Sequence, residues 1–377
     1  MSIQISKISK NGSALNVEWN DGEKSNFNFM WLRDNCPTAH DKDSRHRMFN
    51  ILEVSTNIKP KTCKINNEGK LEIEWNEGNH TSFYDQEWLR KNCYTINNKK
   101  KYISPYQLWD SSLEENLKSI TIEHDEIINS DEGLIKWLEL LHYKGIAIVK
   151  NTPTEKESAF PVLKRISHTR ETFFKTPFEV INIPKPNNSA YTAHALRNHM
   201  DLPWFENPPG YQFLHCLIND AEGGDSSAVD GFAVAEYLRK KHKNFFKLLS
   251  TVKIRFTYTN KNTFLENWGA TIELNNDSSV KKVRLSPRLD YVPVLKKEEL
   301  NKFYNARSFF IKLCNSKKFQ IKFKLEPGDI MMMDNYRTLH GRTSYNMTIG
   351  ERHLQGCYVD HDSVESNMKN LKRRFNI

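Results

Sequence analysis

His199 and Asp201 stand two residues apart in LRNHMDLPW, residues 196–204. In extended backbone residues i and i+2 project to one side, so an imidazole nitrogen and a carboxylate oxygen can converge on one point. A metal ion is a natural occupant of that point. With a second imidazole the pair becomes a facial triad that leaves three positions open on a non-haem iron. A His-x-Asp pair alone is weak evidence, because it recurs among ordinary surface and core residues. His340, in LEPGDIMMMDNYRTLHGRTSY at 325–345, offers the second imidazole, although a structural histidine at a strand end reads the same way. Twelve residues further on, Arg352 lies at the edge of an apolar strand. A buried guanidinium wants a bidentate anionic partner, which a small dicarboxylate provides.

The elements that must carry these residues divide the chain in two. SALNVEWNDG at 13–22 matches KLEIEWNEG at 70–78, and each copy precedes a Trp-Leu-Arg segment, WLRDNC at 31–36 and WLRKNC at 88–93. Apolar residues alternate in both copies and then meet an Asn-acid-Gly turn, the signal of a strand and hairpin. Residues 1–100 are therefore expected to form a small β-rich domain with an internal repeat, and residues 101–377 a second domain, joined through NNKKKY and Pro105. In the second domain a helix starts at Ser130 and stops at Gly145, the strand GIAIV follows, and a further helical stretch runs about Leu163 to Phe174. From residue 211 the chain reads as strands, YQFLHCL, VKIRFTY, FQIKFKL, DIMMMD and HLQGCYV, with helices near 232–249 and 297–314. The expected class is mainly β with flanking helices, a sandwich or jelly roll.

Composition narrows the function classes. No apolar run approaches the roughly 20 residues of a membrane span, and the N-terminus lacks the apolar block of a signal peptide. The six cysteines are spread along the chain without the spacing of a disulfide framework, as suits a reducing cytoplasm. The net charge is +9, but the lysines fall in short scattered groups without aromatic interleaving. That is the pattern of solvated faces rather than a nucleic-acid interface. The expected partners are small anionic molecules, not membrane or nucleic acid, with a homodimer left open.

HMD at 199–201, GGDSSAVDGF at 223–232, PGDIMMMDNYRTLHGR at 327–342 and RHLQGCYVD at 352–360 together resemble the iron(II)- and 2-oxoglutarate-dependent dioxygenases of the γ-butyrobetaine hydroxylase group, relatives of taurine dioxygenase. The WLRDNC segment and the small β module resemble that group's N-terminal domain, so the likeness extends over nearly the whole chain. It implies a double-stranded β-helix (jelly roll) catalytic domain, with His199, Asp201 and His340 as iron ligands. Arg352 would hold the distal carboxylate of 2-oxoglutarate, assisted by the hydroxyl of Ser226. Arg337 and Arg342 are read as holding the loop through salt bridges. The implied reaction is hydroxylation of an unactivated carbon by O2, with 2-oxoglutarate decarboxylated to succinate.

For the substrate, the resemblance implies an aromatic cage around a trimethylammonium group at Tyr191, Tyr358, Phe174 and Phe178, each desolvated cation–π contact being worth up to about 2 kcal/mol. Asn188 matches an asparagine that contacts the substrate carboxylate. The group's later asparagine pair is missing, and VRLSPRLDY at 283–291 puts Arg288 there instead. A guanidinium could take a carboxylate or a doubly charged phosphonate. γ-Butyrobetaine, giving carnitine, is the leading substrate, ahead of a trimethylammonio-ethylphosphonate and then trimethyllysine. Relatives hold zinc in the N-terminal domain. Here Cys36 and His80 remain, but Thr38 and Asp41 replace other cysteines, and no zinc is expected, with His40 a weak substitute. The reading from another class is a betaine-binding module that has lost catalysis, which would form no succinate.

Overall fold

The computed structural model describes residues 3–93, 106–181, 192–346 and 348–375. The chain falls into two compact units, Met1–Ile103 and Ser104–Ile377.

The first unit makes the repeat visible. Each copy is a three-stranded antiparallel sheet, Ile5–Asn11, Ala14–Trp19 and Lys24–Asn28 in one, Pro60–Ile65, Leu71–Trp75 and Thr81–Tyr84 in the other. A short helix follows each, Phe29–Asp34 and Gln86–Lys91, and carries the Trp-Leu-Arg segment. Leu15, Val17 and Trp19 are buried, as are Leu71, Ile73 and Trp75, so the alternating pattern faces one core. The equivalence extends to hydrogen bonds, because Trp19 Nε1 donates to Ser25 Oγ at 2.7 Å and Trp75 Nε1 to Ser82 Oγ at 2.8 Å. Gly22 and Gly78 close the turns at φ of 82° and 77°, where a side chain would be strained.

The second unit is a jelly roll of two facing sheets. The larger runs, in spatial order, Thr121–Glu123, Ile146–Lys150, Ile330–Asp334, Tyr211–Asn219, Arg352–Val359 and Phe178–Val180. The smaller runs Leu196–His199, Thr338–Arg342, Ser226–Asp230 and Gln320–Phe323. Pairing is antiparallel except between the first two strands of the larger sheet. Strand parity sorts the large sheet's residues. Leu214, Cys216, Met331 and Met333 face the small sheet's Ala228 and Ile321. Tyr211, Phe213, Met332 and Val359 face Trp137, Leu141 and Val364 on the covering helices Asp131–Lys144 and His361–Phe375. Burial on both faces is why MMM reads as one continuous apolar run. On the small sheet's outer side lie helices Gly231–Lys241, Lys243–Thr251 and Lys297–Cys314.

Several expected elements appear as read. The Ser130 hydroxyl caps its helix by accepting the Gly133 N–H at 2.8 Å, and that helix ends at Gly145 in the left-handed region. The stretch Leu163–Phe174 is a correction. Helix exists only over Phe160–Lys164. Ile166 still packs into the core, but the polar run Ser167–Thr172 leaves no apolar stripe to continue the helix. Arg337 forms a fully buried ion pair with Asp230 at 2.8 Å and donates to the carbonyls of Tyr143 and Gln107. It thus holds the turn into Thr338–Arg342. Among the described residues, no helix is long and apolar enough to cross a membrane.

His215 is buried on the Tyr211–Asn219 strand, and neither ring nitrogen has a hydrogen-bond partner among the described residues. Burial, followed by the neighbouring His124, pushes its pKa down to about 4. The unfolded chain therefore takes up a proton below pH about 6.5 that the folded chain refuses. Stability from this residue is full above pH about 6.5 and falls as the pH drops toward about 4, by up to about 1.4 kcal/mol per pH unit. Urea titrations at pH 7, 6, 5 and 4.5 should show a shallower acid limb for His215→Leu than for wild type. Parallel limbs would refute the assignment.

Candidate active site

The site begins with a strand register. Leu196–His199 pairs with Thr338–Arg342 so that His199 lies directly opposite His340, with ring centroids 4.5 Å apart. Asp201 is not on the strand, contrary to the extended reading of His-x-Asp. The strand ends at His199, and Leu202 takes φ of 53° in the bend that follows. Asn335 holds that bend. Its Oδ1 accepts the Asp201 N–H at 2.9 Å, while its Nδ2 donates to the carbonyls of Asp201 and Pro209, each at 3.0 Å. Asp201 Oδ1 then lies 3.3 Å from His199 Nε2 and 3.8 Å from His340 Nε2.

This donor set fits a divalent ion with nitrogen and oxygen preference. One ligand atom from each of the three residues falls within 4.8 Å of the others, the one such metal-competent group among the described residues. His199 donates its Nδ1–H to the Arg197 carbonyl at 2.9 Å, which leaves Nε2 as the lone-pair donor. Burial, then His199, pushes the His340 imidazole down to about 3, so it stays in the neutral, ligating form. Burial alone would raise the Asp201 carboxyl. His340, His199 and the Tyr358 hydroxyl together hold it well below the usual carboxylate range.

Two cavities meet at this group. The first, about 510 Å³ with its open mouth included, is lined by Ser226, Arg342 and Arg352 as well as the three metal-competent residues. Arg352 donates to the Gly224 carbonyl at 3.2 Å. Gly224 has φ of 72°, and a Cβ there would lie 2.9 Å from Arg352 Cδ, so glycine makes room for the arginine. Arg342 donates to the carbonyls of Thr192 and His194. Burial pushes both guanidiniums down, Arg342 to about 10 with added repulsion from Arg352. A dianion would relieve both.

The second cavity, about 550 Å³ with its mouth included, is lined by Phe174, Phe178, Trp204, Tyr358, Ser286 and Arg288 beside His199 and Asp201. Gly356 lets the Phe178 ring lie across its strand, since a Cβ would come within 2.2 Å of that ring. The Phe178 and Tyr358 rings are 5.1 Å apart. Burial pushes Arg288 down, offset by the Asp201 charge, and the buried Ser286 hydroxyl has no hydrogen-bond partner among the described residues. Tyr191 and Asn188 lie outside the described residues. Trp204, three residues after Asp201, is a wall the sequence reading passed over, as it did Gln212 and Ser286. In the first unit Cys36 Sγ sits 3.0 Å from Thr38 Oγ1 and 3.4 Å from His80 Nε2. His40 contacts the Pro37 carbonyl at 3.2 Å.

Residues 110–358 match the family described as Taurine catabolism dioxygenase TauD, TfdA family, and residues 6–90 match Gamma-butyrobetaine hydroxylase-like, N-terminal. Gamma-butyrobetaine dioxygenase of Pseudomonas sp. (strain AK-1) is 33% identical over 367 residues, covering 96% of this chain and 94% of that protein. The Homo sapiens enzyme of the same name is 31% identical over 394 residues, covering 99% and 98%. Mitochondrial trimethyllysine dioxygenase of Mus musculus is 31% identical over 351 residues, covering 91% and 82%. The chain belongs to the TauD/TfdA dioxygenase family. Within it, the chain is an iron(II)- and 2-oxoglutarate-dependent dioxygenase acting on a small molecule.

Replacing Asn335 by Ala strands the backbone N–H and carbonyl of Asp201 in the bend. Chemical denaturation should show a loss of about 1–3 kcal/mol, with weaker metal binding by calorimetry. Wild-type values for both would mean that the clamp does not set the bend.

Proposed function

We propose that this enzyme hydroxylates a trimethylammonium substrate with an anionic far end, most simply γ-butyrobetaine, giving carnitine. The observation that carries the reading is that a His–Asp–His group separates a two-arginine cavity from an aromatic one. In this reading His199, Asp201 and His340 hold iron(II), and Arg352 with Ser226 takes the distal carboxylate of 2-oxoglutarate. Iron(II) with 2-oxoglutarate and O2 supplies an oxidation that turns a C–H into C–OH while 2-oxoglutarate becomes succinate and carbon dioxide. The chain's own task is orientation. Phe174, Phe178, Trp204 and Tyr358 attract the cation through their ring faces, and Arg288 with Ser286 draws the anionic end. The substrate carbon is then turned toward the metal group, and the apolar walls exclude water. Tyr191 and Asn188 remain candidates for the cage and the carboxylate contact. The six cysteines are all free thiols, which supports a cytoplasmic setting. Light scattering would test for a homodimer.

Arg352→Ala removes a charge-assisted pair of about 1.5–3 kcal/mol, so the 2-oxoglutarate requirement should rise on the order of 10- to 100-fold. If only the KM for the amine moved, Arg352 would belong to the other cavity.

Arg288 favours a second reading. Its fork would gain more from a phosphonate, with three oxygens and a second charge, than from a carboxylate. A side-by-side assay of γ-butyrobetaine, trimethylammonio-ethylphosphonate and trimethyllysine on wild type and Arg288→Asn decides between them. We expect γ-butyrobetaine turnover to lead and to weaken in the variant. A phosphonate preference that vanishes in Arg288→Asn would replace the leading substrate.

A further inference from the structure

The two oxygens of Asp201 have different surroundings. Oδ1 faces the imidazoles. Oδ2 accepts Gln212 Nε2 at 2.6 Å and the Tyr358 hydroxyl at 2.8 Å. Gln212 and Tyr358 are directly opposed on neighbouring strands of the large sheet, so both side chains rise on one face toward one point. Their chain neighbours Tyr211, Phe213, Cys357 and Val359 turn the other way, into the core beneath the helices. Gln212 is 2% exposed, and its Oε1 has no hydrogen-bond partner among the described residues. A buried amide that leaves its oxygen unmatched while aiming its nitrogen at a carboxylate is held for its N–H. A carboxylate accepts only, so this orientation follows from the chemistry.

We propose that Gln212 and Tyr358 are positioning residues that reserve Asp201 for one-oxygen metal binding. This rests on the assignment of His199, Asp201 and His340 as metal ligands. With Oδ2 occupied by two donors, Asp201 swings to two-oxygen binding only by breaking both hydrogen bonds. A facial triad must leave three positions for other ligands, and a second Asp201 oxygen would take one of them. Tyr358 thereby has two duties. Its hydroxyl restrains the metal ligand, and that bond orients its ring beside Phe178 in the aromatic cavity. Substrate pocket and metal ligand thus share one side chain.

The test uses cobalt(II) as a spectroscopic probe in the full chain, with Gln212→Leu, Tyr358→Phe and the double variant. Cobalt affinity and 2-oxoglutarate affinity of the cobalt-loaded protein are measured separately by calorimetry, together with the ligand-field spectrum. The expected result is a split. Cobalt affinity does not fall with 2-oxoglutarate affinity, because the freed Oδ2 can bind the ion in place of the lost hydrogen bonds, while 2-oxoglutarate affinity falls about tenfold in the double variant and the spectrum before 2-oxoglutarate addition shifts. Tyr358→Phe keeps the ring and its packing, so it carries the test if Gln212→Leu folds poorly. Wild-type spectra and 2-oxoglutarate affinities in every folded variant would overturn the proposal, as would loss of cobalt and 2-oxoglutarate binding in parallel. If wild type itself binds no cobalt, the ligand assignment fails instead.

Discussion

The pairing of Leu196–His199 with Thr338–Arg342 is the constraint on which the site depends. Side chains alternate along a strand, so a slip of one residue would turn His340 away from His199. Several features hold that register. Thr338–Arg342 is paired on both sides, with Leu196–His199 and with Ser226–Asp230. At its start the buried Arg337–Asp230 pair ties the preceding turn to the end of the neighbouring strand, and Asp230 also caps helix Gly231–Lys241. Near its end Gly341 faces the Leu196 carbonyl, which a Cβ would approach to 2.4 Å. Removing one partner of such a buried ion pair is costly because the remaining charge stays unpaired.

Given that register, electrostatics divides the chamber. One cavity carries two buried guanidiniums and a serine hydroxyl, the other is mostly apolar, with aromatic rings and with Arg288 at its wall. Asp201 is the negative charge between them, and the His340 imidazole, held neutral by burial, adds no opposing charge. In a site sheltered from water such charges act at lower effective dielectric than on the surface. The guanidiniums of Arg342 and Arg352 on one side and Arg288 on the other supply positive charge in both cavities. The aromatic walls offer ring faces of the kind that attract cations.

The first unit shows how a repeat can keep its core while its polar cluster changes. Both copies bury the same apolar positions and the same Trp–Ser hydrogen bond. The Cys36 and Thr38 side chains of the first copy meet His80 of the second. The buried Arg33 lies over the Phe49 ring at 3.8 Å. Burial, followed by Arg33, pushes the His80 imidazole down.

The alternating apolar residues of the repeat, the Ser130-to-Gly145 helix and the double-faced MMM strand were legible in sequence because local periodicity and turn chemistry specify them. So were His199, Asp201, His340 and Arg352, through ordered motifs and the family resemblance they carry. The helical expectation after Leu163 failed because the polar run Ser167–Thr172 interrupts the apolar stripe that a helix would bury. Gln212, Trp204 and Ser286 were passed over although a signal existed for Gln212, a polar residue at an inward position of an apolar strand. That signal acquires meaning only when the strand's partner is known. The chain order thus determined which residue types were available and the local elements bearing them. The tertiary structure decided that His199 faces His340, that Asn335 bends the chain at Asp201, and that Gln212 and Tyr358 share one carboxylate oxygen. Register and loop closure join residues far apart in sequence, and such pairings leave no periodic trace along the chain.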